Sequence, residues 1–300
     1  MNIDLIHHTH CPSCGSDAIF PALSAKDFTV SQTVFEIWHC DECTLRFTQD
    51  VPGPSSIGAF YQSDNYVSHS DTAKGLINRL YHLVRNRTLR SKRKLIEKIS
   101  GQTSGKLLDI GAGTGAFSHT MQSAGWEVTA LEPDDTARQN AQKKYGLVLQ
   151  DPDQLFTLNT PVFNVITLWH VLEHVHQLHP YLEQFQKCLV KDGCLVIAVP
   201  NYTSVDAKTY GEYWAAYDVP RHLYHFSPRS MERLVQSKGF ATVALYPMWY
   251  DSFYVSMLSE KYKNGTGNLP GALWNGFRSN LAALRDVRRT SSVIYVFRKK

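Results

Sequence analysis

The sequence predicts an α/β fold: a doubly wound, largely parallel sheet preceded by a small metal-binding unit. Three observations predict it. Apolar runs alternate with helix-patterned stretches between residues 106 and 246. The glycine-rich turn DIGAGTG follows the first of those runs. Two C-x-x-C pairs stand near the N-terminus. Alternating strands and helices of this kind build a parallel sheet with ligands at the strand C-termini.

The pairs are Cys11-Pro-Ser-Cys14 and Cys40-Asp-Glu-Cys43. Each sets two thiolates on one side of a tight turn, and two such turns make the tetrahedral cage that Zn2+ accepts in structural sites. Gly15 follows the first pair, and the stretches 28–30 and 33–38 read as short strands between the pairs. The arrangement resembles a zinc ribbon over residues 1–50. A unit this small buries little apolar surface, so a metal replaces the missing core. Four thiolates leave no open coordination position, which assigns the zinc a structural role. His7, His8, His10 and His39 read as surface residues, and Cys188 and Cys194 as core thiols.

Hydrophobic residues make up 43% of the chain and charged residues 19%, as expected for a chain with a real core. The net charge of +4 is unevenly spread: nine Lys/Arg against one Glu lie between Lys74 and Lys98. No run approaches the ~20 apolar residues of a membrane span. The start, MNIDLIHHTH, lacks the pattern of a secretory signal, so a cytoplasmic, reducing compartment is expected, where paired cysteines read as metal ligands.

Residues 51–100 read as linker, lid and basic helices. VPGPSSIG is turn-rich, FYQSDNYVSHSDTAKG is polar and aromatic, and Leu76, Ile77, Leu80, Leu83 and Val84 recur at helical spacing. The basic residues on these helices form a solvated face or attract an anionic partner such as a phosphate, a nucleotide or RNA; a membrane surface is a weaker option. Residues 101–246 form the core, and residues 247–300 supply further helices and a last strand. Strands are expected at 106–110, 128–131, 147–149, 163–168, 194–199, 239–246 and 292–297, seven in all, the last able to pair antiparallel at the edge.

In DIGAGTG, glycine lets a ligand approach the backbone, because no Cβ intervenes. Gly111, Gly113 and Ala116 also satisfy the dinucleotide pattern G-x-G-x-x-A. Asp109 separates the readings. A carboxylate there repels a pyrophosphate and suits a cation, and S-adenosylmethionine carries a sulfonium and an ammonium.

LLDIGAGTGAF (107–117) resembles the first motif of the class I S-adenosylmethionine-dependent methyltransferases, whose sheet is Rossmann-like and seven-stranded. TLWHVLEHV (167–175) and CLVKDGCLVIAVPN (188–201) resemble later segments of that family, so the likeness covers roughly residues 60–246. It implies that Asp109, Gly111, Ala112, Gly113, Gly115 and Phe117 line the cofactor. It implies that Glu132, nineteen residues after Gly113, holds the ribose hydroxyls with Pro133 beside it. Asp151 is placed at the adenine amino group, and Trp169 and His170 at the border of the cofactor.

Candidate bases fall in two clusters. One is Trp169-His170-Val171-Leu172-Glu173-His174; the other is DVPRHLYHFS, Asp218 to Ser227. His170, His222 and His225 are the candidates for catalysis, with Tyr66 and His69 on the lid. His225-Phe226-Ser227-Pro228 also reads as a helix entry, with Ser227 as N-cap. A zinc ribbon joined to such a core resembles sugar C-methyltransferases, and the lid resembles that of small-molecule O-methyltransferases. The expected acceptor is a small, anionic metabolite. The alternative is RNA, because zinc ribbons also precede ribosomal RNA guanine-N1 methyltransferases. No N/D-P-P-Y/F follows the fourth strand, which speaks against methylation of a base amino group.

Overall fold

The apolar runs become the strands of one central sheet, and the cysteine pairs close one end of a second, smaller one. The structure, a computed structural model, describes residues 4–62 and 76–300. In the N-terminal part β1 (Leu5–Ile6), β2 (Ile19–Lys26), β3 (Val34–Cys40), β4 (Arg46–Thr48) and β5 (Val51–Pro52) follow in order. β2, β3 and β4 form an antiparallel meander, and β1 pairs with β5. The expected linker therefore begins as a strand with buried Val51. The expected strand at 28–30 is a turn instead. There the Asp27 carboxylate accepts the backbone N–H groups of Thr29, Val30 and Ser31, at 2.9, 3.1 and 2.7 Å, and these bonds outcompete a strand ladder.

The basic segment is one helix, α1 (Leu76–Ser100), rather than several. Its Ile96 packs with Leu107, Phe117 and Val165 on one face of the central sheet. Then come β6 (Lys106–Ile110), α2 (Ala116–Gln122), β7 (Glu127–Leu131), α3 (Asp135–Tyr145), β8 (Phe163–Trp169), α4 (Leu178–Cys188) and β9 (Leu189–Pro200). The chain continues through α5 (Val205–Tyr210), β10 (Tyr224–His225), α6 (Pro228–Gln236), β11 (Phe240–Pro247), α7 (Asp251–Asn264), α8 (Leu269–Arg285) and β12 (Ser292–Lys299).

The central sheet runs β11-β12-β9-β8-β6-β7. β7, β6, β8 and β9 are parallel, and β12 lies antiparallel between β9 and β11 rather than at the edge. The sheet has six strands among the described residues, not seven. Residues 147–149 run beside β7 without becoming a strand, and only Gln150 bridges Leu131. Asp151 then caps the turn Pro152–Thr157 and leads the chain away. β8 and β9 are buried almost throughout because helices cover both faces.

The N-terminal sheet is not a separate lobe. β10 pairs with β4, setting Tyr224 opposite Phe47 and His225 opposite Arg46. Cys11, Cys40, Cys43 and Phe47 share one apolar core with Phe185 of α4 and Leu234 of α6. Residues 247–285, too aromatic for a tail, fold into the α7–α8 hairpin. Among the described residues no helix is long and apolar enough to cross a membrane.

Candidate active site

The glycine turn joins β6 to α2. Gly111 has φ +66°, and a Cβ there would run into the Val171 side chain. Gly113 has φ +55°, and a Cβ there would meet nothing within 4 Å. Both backbones are left-handed, but Gly111 lets β6 approach the segment after β8, while Gly113 turns bare backbone onto open space. Gly115 caps α2, and Ala112 N–H holds the turn to Leu131 O at 2.9 Å.

Glu132 closes the next strand over this turn. Its Oε2 accepts Gly113 N–H at 2.7 Å and its Oε1 accepts Asp134 N–H at 3.0 Å. Arg138 gathers the same rim, donating to Glu132 O at 2.6 Å, to Pro133 O at 3.4 Å and to Asp151 Oδ2 at 3.4 Å. The structure thus brings Gly113, Glu132, Pro133 and Asp151 together, with Glu132 buried and Pro133 and Asp151 exposed.

Asp109 behaves differently from the expectation that it faces a cation directly. It is 1% exposed, and both oxygens accept hydroxyls, from Ser118 at 2.6 Å and Thr167 at 2.8 Å. Burial pushes its carboxyl up to about 6. It is a buried anchor whose charge acts through low-dielectric surroundings.

Trp169 ends β8, with the Phe117 ring edge-on at 5.4 Å. The Lys92 ammonium sits 4.1 Å from the Trp169 ring centroid, and burial lowers its pKa to about 8. Trp169 Nε1 is buried without a hydrogen-bond partner among the described residues. An open face at Gly113, an anchored Glu132 and an orphaned indole N–H fit an adenosyl ligand carrying a cationic amino-acid end. Lys92 was not anticipated; its place over Trp169 depends on how α1 docks, which local sequence does not encode.

His170 is held between two carboxylates rather than left open. It adopts φ +58°, with Nε2 2.9 Å from Asp251 Oδ2 and Nδ1 3.3 Å from Glu173 Oε1. Although burial alone would lower its pKa, the two carboxylates, Asp251 foremost, raise it to about 10. It is a clamped imidazolium joining the start of α7 to the end of β8. Glu173 is fully buried, and burial opposes its charge, but His170 beside it holds the carboxyl below the usual range. Neither Glu173 oxygen has a hydrogen bond of good geometry among the described residues.

Beyond this clamp, ligand atoms of Glu173, His174 and His222 converge within 4.8 Å of one another. His222 Nδ1 donates to Ala216 O at 2.8 Å, and its Nε2 lies 3.9 Å from Asp218 Oδ2. His174 Nδ1 donates to Arg221 O at 3.0 Å, with the Tyr61 hydroxyl 2.9 Å away. A carbonyl only accepts, so both rings carry their proton on Nδ1. Burial first, and the neighbouring His222 second, lower the His174 pKa to about 4. The cluster can accept a proton or hold a cation.

Its wall is braced from the N-terminal sheet. Arg221 is 1% exposed and donates to Asp218 through Nε at 3.0 Å and Nη2 at 2.6 Å, and to Phe60 O at 2.8 Å. Thr48 Oγ1 donates to His222 O at 2.7 Å. His225, by contrast, turns away from the cluster. Its Nε2 lies 3.1 Å from Thr48 Oγ1 in the seam with β4, and burial drives its pKa well below normal. It is structural. Ser227 caps α6 as expected, with Pro228 in the first turn. Tyr66 and His69 lie outside the described residues.

At the far end of the N-terminal sheet, Cys11 Sγ is 3.5 Å from Cys43 Sγ and Cys14 Sγ 3.6 Å from Cys40 Sγ. All four lie within 4.8 Å of one another. Zn–S bonds of ~2.3 Å require sulfurs ~3.8 Å apart at the corners of a tetrahedron, so the cluster fits such an ion.

A family model described as a methyltransferase domain matches residues 82–245. Over 119 residues the chain is 32% identical to a ubiquinone biosynthesis O-methyltransferase of Glaesserella parasuis serovar 5, covering 36% of this chain and 50% of that one. It is 28% identical over 134 residues to the mitochondrial ubiquinone biosynthesis O-methyltransferase of Schizosaccharomyces pombe, covering 42% and 49%. The chain spans about half the length of the curated relatives it matches. The solved structure of a SAM dependent methyltransferase from Archaeoglobus fulgidus shares the fold, with a TM-score of 0.50 at 19% identity over 72% of this chain and 94% of that one.

Proposed function

The chain belongs to the methyltransferase-domain family, and from that premise we propose that it methylates a hydroxyl oxygen of a small, anionic acceptor, with S-adenosylmethionine as donor and His222 as general base. The observation that carries this reading is the convergence of His174, His222 and Glu173 in the segment that follows Val171, which packs on Gly111 of the glycine turn. When bound, S-adenosylmethionine supplies a methyl group on a positively charged sulfur. Gly113 and Glu132 would hold its adenosine end, and Asp109 would favour its cationic end from behind. A hydroxyl is a weak nucleophile until its proton leaves. His222 Nε2 takes that proton, and Asp218, 3.9 Å away, stabilises the imidazolium that forms. His174 and Tyr61 orient the acceptor. The names of the relatives support oxygen as the methylated atom.

Incubating the chain with methyl-labelled S-adenosylmethionine and a lysate divided into metabolite and RNA fractions tests this. Label is expected in the metabolites, and His222→Ala lowers it at least ~100-fold, in the range of lost acid–base catalysis, with cofactor binding intact. Label in RNA overturns the acceptor class.

We also infer that Cys11, Cys14, Cys40 and Cys43 hold one structural Zn2+, supported by their separations. Metal analysis should find one zinc per chain, absent from Cys11→Ser.

A further inference from the structure

The α7–α8 hairpin is built inside out. Facing the protein, α8 presents Ala272, Gly276, Ser279 and Ala283, all buried, and Phe253 of α7 packs where a Cβ on Gly276 would stand. Facing outward are Leu273, Trp274, Phe277, Leu281 and Leu284, between 46% and 71% exposed. A helix on the surface of a protein in water normally does the reverse. Tyr254 on α7 extends the apolar face and is 55% exposed. Five large apolar side chains on one helix face, each about half exposed or more, leave bare a patch on the order of several hundred Å², the size that marks an interaction surface.

The exposed charges around this face are predominantly basic. α8 contains no Asp or Glu. The two acids of α7 are engaged inward, Asp251 on His170 and Glu260 on Tyr210, Asn264 and Asn268. Exposed Lys261, Lys263, Arg278, Arg285 and Arg289 surround it; Asp286, just past α8, is the single exposed acid of the segment and caps the following turn. Leu, Phe and Trp on one side with Lys and Arg at the margin are what an anionic bilayer surface selects. A second copy meeting the same face would set one basic margin against another.

We propose that the outer face of α7–α8 docks the protein onto an anionic lipid surface. Because Asp251 at the start of α7 holds His170, docking there sets the rim of the candidate site beside the headgroups.

Co-sedimentation of the full chain with phosphatidylcholine vesicles, with and without phosphatidylglycerol, tests this. Binding to the anionic vesicles is expected to be at least ~10-fold stronger and to weaken with added salt. Leu273→Ser/Phe277→Ser/Leu284→Ser should reduce it at least ~10-fold, with the melting temperature and S-adenosylhomocysteine binding unchanged, because these side chains point away from the fold. Arg278→Glu/Arg285→Glu should abolish the preference for phosphatidylglycerol. Failure of the wild type to sediment with anionic vesicles, or equal sedimentation of the triple-serine variant, overturns the proposal. A dimer that the triple-serine variant dissociates, without vesicle binding, assigns the face to a second copy and overturns it too.

Discussion

The proposed cofactor half of the site is centred on one short stretch, from Asp109 to Glu132, with Trp169 and Asp151 brought in by neighbouring strands, whereas the proposed acceptor half is gathered from afar. Tyr61 meets His174 across 113 residues of chain, and His174 meets Arg221 across 47. The first half is held by bonds between adjacent parallel strands and the turn above them. The second depends on the N-terminal sheet, which reaches the His222 loop through Thr48 and the β4–β10 pair. The difference teaches that cofactor binding and acceptor chemistry have separate structural supports, so each can be damaged alone.

The largest effect separates the two supports directly. Cys11→Ser should release the metal and loosen β3, β4 and the His222 loop, costing on the order of 5 kcal/mol, a fraction of what zinc contributes in small isolated domains. S-adenosylhomocysteine affinity, measured calorimetrically, should stay within ~3-fold of wild type, because no cysteine touches the glycine turn.

The glycines sharpen the comparison within the cofactor half. Gly111→Ala combines left-handed strain of ~1–2 kcal/mol with overpacking against Val171 of ~1–3 kcal/mol, so denaturation should show a loss of about 2–5 kcal/mol. Gly113→Ala should lose only the strain, about 1–2 kcal/mol, yet weaken cofactor binding more, because its methyl points into the open space.

Two pH effects are smaller. Asp109, pushed up to about 6, gains a proton as pH falls below that value, so S-adenosylmethionine affinity should drop by up to ~10-fold per pH unit there. Asp109→Asn should flatten that slope. His170 is raised above its unfolded value, so its stabilising contribution is complete below pH ~6.5 and is lost as pH rises through about 10. The gap in denaturation midpoint between wild type and His170→Gln should therefore narrow on going from pH ~6 to pH ~10.

What was legible in the sequence follows the same division. The glycine turn, Glu132 at the end of the neighbouring strand and Ser227 as a cap are local features whose neighbours in sequence are neighbours in space. Cys11 and Cys43 were legible across a long loop because thiol pairs at that spacing have few other uses. The clamp on His170 was not, since Asp251 lies 81 residues away. The preference for His222 over His225 was legible only in part, from the helix entry that His225-Phe226-Ser227-Pro228 spells. They sit three residues apart, and the pairing of β10 with β4 places His225 in the seam opposite Arg46 while His222 joins His174 and Glu173. The lost seventh strand shows the same limit: the apolar run at 147–149 is real, but the Asp151 cap ends the pairing after one bridge.

The separation of the two halves is tested most directly by titrating S-adenosylhomocysteine into wild type, Glu132→Ala and His222→Ala by calorimetry. Loss of at least ~100-fold, about 2.7 kcal/mol, is expected for Glu132→Ala, with His222→Ala indistinguishable from wild type. Equal losses in both variants, or none in Glu132→Ala, would contradict the account.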